Sequence, residues 1–527
     1  MFSGVEVDVY LRDMSKSSRK VVFKAYNPNQ LSLLPPSLEE LIPSNHVVRV
    51  VQRVIDQLDI ELIIAKYKGG GSSSYHPRML LKVIVYAYLS NIYSSRKIED
   101  AVSANIHFMW LAGMQRPDHN TINRFRSDKL KGVLKEVFGQ VVMLMVESGL
   151  VDIKTIYIDG TKLEANANKY TFVWGKSIKR NKERIHDQLK ALWAYAEQVA
   201  ADELTDNAPS TYEEIDAEKV EQTIASINEA IKDKPVDKKV KQKLSYAKRE
   251  WPKKLKKYKQ QEQQMGDRNS MSKTDPDATF MRMKDDHMKN GQLKAAYNWQ
   301  ISTSDQYIVN YDLYQSPGDT LTLPKHLETY QQLYDELPDV VVADAGYGSE
   351  ENYELLEQAN IEAYVKYNYF HQEQKAKGKI KPKDVFHPKH LYYNQEQDYY
   401  ICPMGQRMEK KYETRTKKKS GYIQQASVYQ AQRCEGCPLR GACHKSKEER
   451  KIKINHNLAR HKRKARERLT SEQGLAHRSK RPADVEAVFG NIKQNKKFTR
   501  FYLRGLDKVQ IEAGLVALAH NLKKMAN

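Results

Sequence analysis

The sequence predicts an α/β protein in which a mixed sheet carries helices on its faces. Residues 294–316 contain two alternating strands joined by Ser304-Asp305-Gln306, a pattern typical of a β-hairpin. Residues 339–365 read strand, helix and strand, as in a layered α/β protein. Residues 44–150 instead contain short apolar segments at helical spacing, which predict a separate helical region before the sheet.

The first strand of the predicted sheet ends in an acid. Thr155 to Ile158 are β-branched or aromatic and suit a buried strand, and Asp159 and Gly160 are expected to end it. An aspartate at the carboxyl end of a strand lies at the sheet edge where ligands commonly bind. The alternative is a turn that uses Asp-Gly only for its backbone geometry.

Two later segments carry acids in comparable positions. Asp344 ends a second apolar strand and is followed by Ser349, the expected N-cap of a helix. Residues 482–497 predict a helix on which Glu486 and Lys493, seven residues apart, lie one above the other. Two strand-end aspartates and a helical glutamate can form a carboxylate cluster, and such hard oxygen ligands suit Mg²⁺.

The order of these motifs resembles a DDE transposase of a bacterial insertion sequence. The closer resemblance is to the branch with an InsH-like N-terminal domain and a cysteine-containing insertion before the catalytic glutamate, and it runs from about Asn29 to the C-terminus. It implies a ribonuclease H-like catalytic core and a helical DNA-binding domain. The implied units are a flexible arm (1–28), the DNA-binding domain (29–150), the core (151–175, 277–369 and 476–527), a charged helical insertion (176–276) and a basic insertion with the cysteines (370–475).

The resemblance assigns catalysis to Asp159, Asp344 and Glu486, which would hold Mg²⁺ or Mn²⁺ for two-metal cleavage of phosphodiester bonds. Lys493 matches the lysine that follows the glutamate in the family and would contact a phosphate. Arg481 corresponds to the arginine before the glutamate, and the resemblance makes it a further DNA contact. It stands one residue out of the usual spacing, and the tyrosine that often precedes it is missing.

Other acids compete for these roles. Asp152 lies before the first strand, Glu164 lies beyond its expected end, and Asp484 lies two residues from Glu486, on a different helical face. Asp285-Asp286-His287 is a further possible ligand group.

The N-terminal region supplies the expected DNA contacts. By the resemblance it binds the ends of the element, and an active homodimer would bring two ends together. The candidate contacts are Arg96, Lys97, Asn123, Arg124 and Arg126, for each of which a solvated helix face is the alternative.

The four cysteines lie close together in the sequence. Cys402, Cys434, Cys437 and Cys443 match the ligand set of a tetrahedral structural zinc, although the last gap is long and His444 can compete with Cys443. Free cysteines and a disulfide are the alternatives.

The charged insertion leaves its role open. Residues 176–265 predict a helical hairpin with loops near residues 206–209 and 232–235. It is either a spacer or an arm that follows DNA or a second subunit.

Charge and composition favour a nucleic acid partner and argue against a membrane protein. The chain has 87 basic and 66 acidic residues, a net charge of +21, which favours a polyanion. No signal peptide and no apolar run of about 20 residues is present, so we expect a cytoplasmic protein that joins the nucleoid when bound to DNA. The leading hypothesis is a transposase acting on double-stranded DNA; the alternatives are a non-catalytic zinc-containing DNA-binding protein and a nuclease of related fold.

Overall fold

The computed structural model describes residues 37–67, 74–200, 216–283, 291–376 and 385–526. The predicted arm (1–28), the loop expected at 206–209 and the group Asp285-Asp286-His287 lie outside these residues.

The described residues form helices and strands throughout the chain. The helices are α1 (Val47–Gln57), α2 (Glu61–Ile64), α3 (Pro77–Leu89), α4 (Ser95–Ala104), α5 (Ile106–Leu111), α6 (His119–Arg124), α7 (Leu134–Glu147), α8 (Gly175–Ala200), α9 (Ala217–Ala230), α10 (Lys238–Met265), α11 (Leu323–Tyr334), α12 (Glu350–Gln358), α13 (Phe370–Ala376), α14 (His456–Thr470), α15 (Glu472–Arg481), α16 (Ala487–Gly490) and α17 (Leu506–Met525). The strands are β1 (Thr155–Glu164), β2 (Phe172–Trp174), β3 (Ser270–Ser272), β4 (Thr279–Arg282), β5 (Leu293–Ser304), β6 (Tyr307–Tyr314), β7 (Val340–Ala343), β8 (Glu362–Val365), β9 (Tyr393–Asn394), β10 (Tyr399–Ile401), β11 (Arg407–Lys417), β12 (Ile423–Ala431) and β13 (Lys451–Ile454). Three π-helical turns span Phe125–Lys129, Pro482–Glu486 and Asn491–Asn495.

The N-terminal region is helical, as predicted. Helix α3 begins at Pro77, which needs no N–H partner there, and its residues are buried almost all round. Helix α6 begins after Asp118, whose carboxylate accepts a hydrogen bond from the Thr121 N–H at 2.9 Å. The last helix of the chain, α17, packs on α3 and α7 as well as on β6, so the N-terminal helices and the sheet share one hydrophobic core.

A mixed sheet forms the centre of the molecule, which confirms the predicted mixed α/β class. Its order is β4–β5–β1–β7–β8, and β6 pairs with the remaining part of the β5 edge. β1, β7 and β8 are parallel, whereas β5 runs antiparallel to β1 and β6 antiparallel to β5. Asp305 and Gln306 form the β5–β6 turn with φ of +49° and +65°, the backbone that a two-residue hairpin requires.

The first strand does not end at Asp159, contrary to the prediction. Its parallel pairing with β7 stops at Ile158 opposite Ala343, but its antiparallel pairing with β5 continues to Glu164. Gly160 is therefore not a turn residue. A Cβ at Gly160 would lie 2.1 Å from the Gln300 Nε2 atom, so the glycine makes room for the side chain that crosses it from β5.

Both insertions contain more structure than the sequence suggested. The first has three helices, α8, α9 and α10, with a hydrophobic core separate from that of the sheet, so the predicted hairpin is wrong in its number of helices. The second contains an antiparallel sheet of order β13–β12–β11–β10–β9, which was not predicted. Within the described ranges, no helix is long and apolar enough to cross a bilayer.

Candidate active site

Two aspartates directly follow the last matched pair of the parallel strands β1 and β7. Asp159 follows Ile158 and Asp344 follows Ala343, and these two strand residues are the last matched pair. Continuing this register by one residue places both acids on the same face of the sheet, because side chains alternate along a strand. Asp159 is 8% exposed, and the Asp344 carboxylate accepts the Gly346 N–H at 2.8 Å. The sheet alone thus brings two carboxylates to one edge.

The third acid is connected to Asp159 through an arginine. Arg481, at the end of α15, places Nη2 3.0 Å from the Asp159 Oδ1 atom and donates from Nη1 to the Glu486 Oε1 atom at 2.8 Å. The Arg481 side chain is 5% exposed, whereas that of Glu486 is 53% exposed. A deeply buried cation therefore lies between one buried and one exposed carboxylate, so Arg481 lacks the exposure expected of a DNA contact.

A π-helical turn explains the unusual spacing of Arg481. Residues Pro482–Glu486 form this turn directly after α15. A π-turn contains one more residue than an α-turn, so residues five apart, here Arg481 and Glu486, come to the same face. The extra residue between arginine and glutamate is thus absorbed by the backbone, and Arg481 still reaches Glu486.

The competing acids have other contacts. Asp484 is 2% exposed, and its Oδ1 atom accepts hydrogen bonds from the Thr303 hydroxyl at 2.6 Å and from the Gln306 N–H at 3.1 Å. It therefore anchors the helical segment to the sheet on a face different from that of Glu486. Glu164 pairs with Lys294 at 3.0 Å, and Asp152, which is exposed, accepts the Lys154 N–H at 2.9 Å.

A polar network that the sequence did not reveal supports the loop after Asp344. Asp319 accepts hydrogen bonds from the side chains of Asn298 at 2.8 Å and Gln300 at 2.9 Å, and the Tyr347 hydroxyl donates to Gln300. Burial, followed by the nearby charges of Asp319, Asp159 and Asp344, raises the pKa of Tyr347 well above its usual value. These residues come from three separate segments, so no sequence spacing connects them.

The acidic site fits a divalent cation by the chemistry of its donors. Asp159, Asp344 and Glu486 offer carboxylate oxygens, the ligands that Mg²⁺ prefers. Arg481 already provides positive charge between two of them. As these side chains stand, no group of three or more histidine, cysteine or acidic residues among the described ones is placed to hold a metal ion, so metal binding by the three acids remains a prediction.

Four of the five predicted DNA contacts of the N-terminal region lie at the surface. Arg96 and Lys97 are exposed in the first turn of α4, and Asn123 and Arg124 are exposed on α6. They remain predictions. Lys493, in the turn Asn491–Asn495, is partly buried two helical turns beyond Glu486, and its phosphate contact also remains a prediction.

Arg126 does not fit the expected role in DNA binding. Its side chain is buried and donates to the Tyr88 hydroxyl at 3.1 Å and to the Tyr93 carbonyl at 2.7 Å. The buried Glu512 accepts a hydrogen bond from the same Tyr88 hydroxyl at 3.3 Å. Arg126 therefore joins α3, the following loop and α17 inside the molecule. The sequence pattern missed this because the π-turn Phe125–Lys129 rotates Arg126 away from the exposed face of α6.

The cysteines lie in the β9–β13 subdomain as free thiols. Arg450 donates from its backbone N–H to the Cys434 sulfur at 3.4 Å and from Nη1 to the Cys443 sulfur at 2.9 Å. Cys402 and Cys434 belong to one small hydrophobic cluster, and burial raises the pKa of the Cys434 thiol. His444 has both ring nitrogens buried without a hydrogen-bond partner in the described part of the chain. Within the described residues, however, no three of these thiols and His444 are placed to hold a metal ion, so zinc binding remains a prediction.

Comparison with known families identifies two segments of the chain. Residues 401–526 match the family described as Transposase DDE domain, and residues 36–128 match the family described as Transposase domain (DUF772). The first match contains Glu486, and the second covers helices α1 to α6. The searches of curated proteins and of solved structures found no match.

Both matched families are transposase domains: one lies in the helical N-terminal region, and the other runs from β10 to α17. Together the two matches support a DDE transposase of the insertion-sequence type.

Proposed function

We propose that this protein binds the terminal inverted repeats of its own insertion sequence, cleaves the strands at the ends and joins the freed 3′-hydroxyls to target DNA. The observation that carries the proposal is the linkage of Asp159, Arg481 and Glu486, with Asp344 directly after the strand that pairs parallel to β1. Two ends must be brought together, so we propose a homodimer as the active complex.

The sheet topology supports a ribonuclease H-like core. Three antiparallel strands, β6, β5 and β1, are followed by two strands parallel to β1, namely β7 and β8. Acids lie on the first strand of this core and directly after β7, and the third lies on a helix after the second insertion. This order of strands and acids is the one expected for that fold.

The residues would divide the work by position and burial. Bound Mg²⁺ would supply the positive charge needed to activate water or a 3′-hydroxyl and to stabilise the leaving oxygen. Asp159, Asp344 and Glu486 would hold it. Arg481 orients Asp159 and Glu486 and offsets their repulsion before DNA binds, because its guanidinium reaches both. The rigid sheet edge fixes the two aspartates, so positioning is largely complete before the reaction.

The proposal is tested on the DNA that flanks the gene. Purified protein and Mg²⁺ are incubated with this DNA, and cuts are mapped at nucleotide resolution for the wild type and for Asp344→Asn. The control is Asp152→Asn, because Asp152 is an exposed acid away from the cluster whose local hydrogen bond an asparagine can keep.

Paired cuts at inverted repeats that are lost in Asp344→Asn and kept in Asp152→Asn are the expected result. Scattered cuts lost in Asp344→Asn would replace the transposase with a nuclease. Binding at the repeats without any cut would favour a non-catalytic DNA-binding protein.

A further inference from the structure

One helix carries a large share of the positive charge of the protein. Helix α10 has eleven lysine and arginine residues and two glutamates, a net charge of +9 out of +21 for the whole chain. The neighbouring helix α9 has one lysine and three glutamates. The positive charge of this three-helix arm (α8, α9 and α10) is therefore concentrated on α10.

The charge of α10 faces away from the core of the arm. Leu244, Ala247, Trp251 and Leu255 are buried against α8 and α9. The opposite face is exposed and carries basic side chains within one broad stripe. These residues are Lys238, Lys239, Arg249, Lys253, Lys256 and Lys257.

The lysines of this stripe are not neutralised by neighbours. Within the described ranges, no carboxylate lies within ion-pair distance of any of its five lysines, whereas Arg249 pairs with Glu250 at 2.9 Å. Among the large apolar side chains of α10, Tyr246 is exposed. Protein interfaces have apolar, lysine-poor centres, so this face suits a phosphate backbone better than a protein partner.

The length and origin of the arm fit duplex DNA held at the acidic site. Helix α10 has 28 residues and is about 42 Å long, which equals about 12 base pairs. From Asp159, β1 continues five residues to Glu164, about 17 Å or about 5 base pairs, before the chain passes through β2 and enters the arm at Gly175.

We infer that the stripe on α10 binds the backbone of duplex DNA that extends from the acidic site, between about 5 and about 17 base pairs from the cleaved bond. This inference rests on the proposed function, because it takes DNA as the substrate. Of the two roles considered for the first insertion, a spacer or an arm that follows DNA, the inference selects the arm.

Phosphate contacts have a measurable signature. Each neutralised phosphate contributes about 0.9 to the slope of log affinity against log salt concentration, so removing five such contacts lowers the slope by about 4.5. The variant changes Lys238, Lys239, Lys253, Lys256 and Lys257 to glutamine. The control changes the same five residues to arginine. Lysine, glutamine and arginine have similar helix propensities, so all three proteins should fold alike.

Binding is measured on a duplex of arbitrary sequence, about 40 base pairs long so that it exceeds the arm, over a range of salt concentrations. The glutamine variant should lose most of the salt dependence assigned to the stripe, and the arginine control should keep it. On DNA from the element's end, the glutamine variant should also lose backbone protection between about 5 and 17 base pairs from the cut. Equal slopes and equal protection in wild type and glutamine variant would overturn the inference.

Two further outcomes separate this inference from the proposed function. If the wild type cuts paired ends and the glutamine variant keeps its salt slope and its protection, the DNA-binding role of the arm is overturned and the proposed function stands. Loss of dimerisation in the glutamine variant with unchanged protection also overturns it, because the stripe would then contact a second chain. If the wild type cuts nothing but the glutamine variant loses its salt slope, the arm is supported and the proposed catalysis fails.

Discussion

Replacing Arg481 with methionine tests the central ion pairs of the acidic site. The substitution keeps much of the apolar stem but removes the charge that contacts Asp159 at 3.0 Å and Glu486 at 2.8 Å. Breaking a buried pair by removing one partner costs about 3–5 kcal/mol, since the other charge stays buried. That cost applies to Asp159, whereas half-exposed Glu486 contributes at most about 1 kcal/mol.

The expected loss is large enough for a thermal unfolding assay. With about 2.1 cal/mol/K of unfolding entropy per residue and a cooperative unit of about 200 residues, 3 kcal/mol corresponds to a fall in Tm of about 7 °C. Lys480→Met is the matched control, because Lys480 pairs with Asp305 at the surface, where an ion pair contributes at most about 1 kcal/mol. Equal falls in Tm for the two variants would refute the reasoning.

A second readout separates metal binding from simple destabilisation. Mg²⁺ would supply positive charge to Asp159 and Glu486 when Arg481 is absent, and a ligand that binds only the folded state raises its stability. Adding Mg²⁺ should therefore raise the Tm of Arg481→Met more than that of the wild type. An equal response in both proteins would mean that Arg481 and Mg²⁺ do not share these carboxylates.

Three further outcomes are expected. Gly160→Ala should destabilise the protein by about 1–3 kcal/mol in thermal or denaturant unfolding, because its new Cβ would overlap buried Gln300. Gly490→Ala is the control: a Cβ there has no neighbour within 4 Å, so the change should be neutral or mildly stabilising. Burial lowers the pKa of His520 to about 4. The stability that comes from keeping the neutral imidazole buried is therefore complete above pH 6.5 and falls as the pH drops towards 4. In His520→Gln, the fall in Tm between pH 6.5 and 4.5 should be smaller than in the wild type. Purified protein should contain about one zinc per chain, measured by elemental analysis, and Cys437→Ser should lower both the zinc content and the Tm; a zinc content near zero in the wild type would exclude a zinc site.

Local sequence was sufficient for elements whose signals lie within a few residues. The β5–β6 hairpin follows from alternating apolar residues around Asp305-Gln306, and α12 begins where Ser349 caps it, with the Asn352 N–H donating to the serine hydroxyl at 3.2 Å. In both, the determining contacts are between near neighbours, so pattern and capping residues predict them.

The misses share a different cause. The strand β1 passes through Asp159-Gly160 because β5, more than 130 residues later, pairs with it, and no local signal reports that partner. Arg126 was taken for a surface residue because its burial depends on the π-turn and on α17. The sheet of the second insertion was missed because its strands are rich in lysine, tyrosine and glutamine and bury little apolar surface on their outer face.

The sequence by itself determined the fold class, the three acids with their order along the chain, and the excess of positive charge, since these depend on residue types and their local spacing. Only the tertiary structure decided that Asp159 and Asp344 follow two adjacent, parallel strands, that Arg481 joins Asp159 to Glu486 despite its irregular spacing, and that basic residues of α10 share one exposed face. The physical reason is that ion pairs and burial act over a few ångströms in space, and the residues they join are separated by hundreds of positions in the chain.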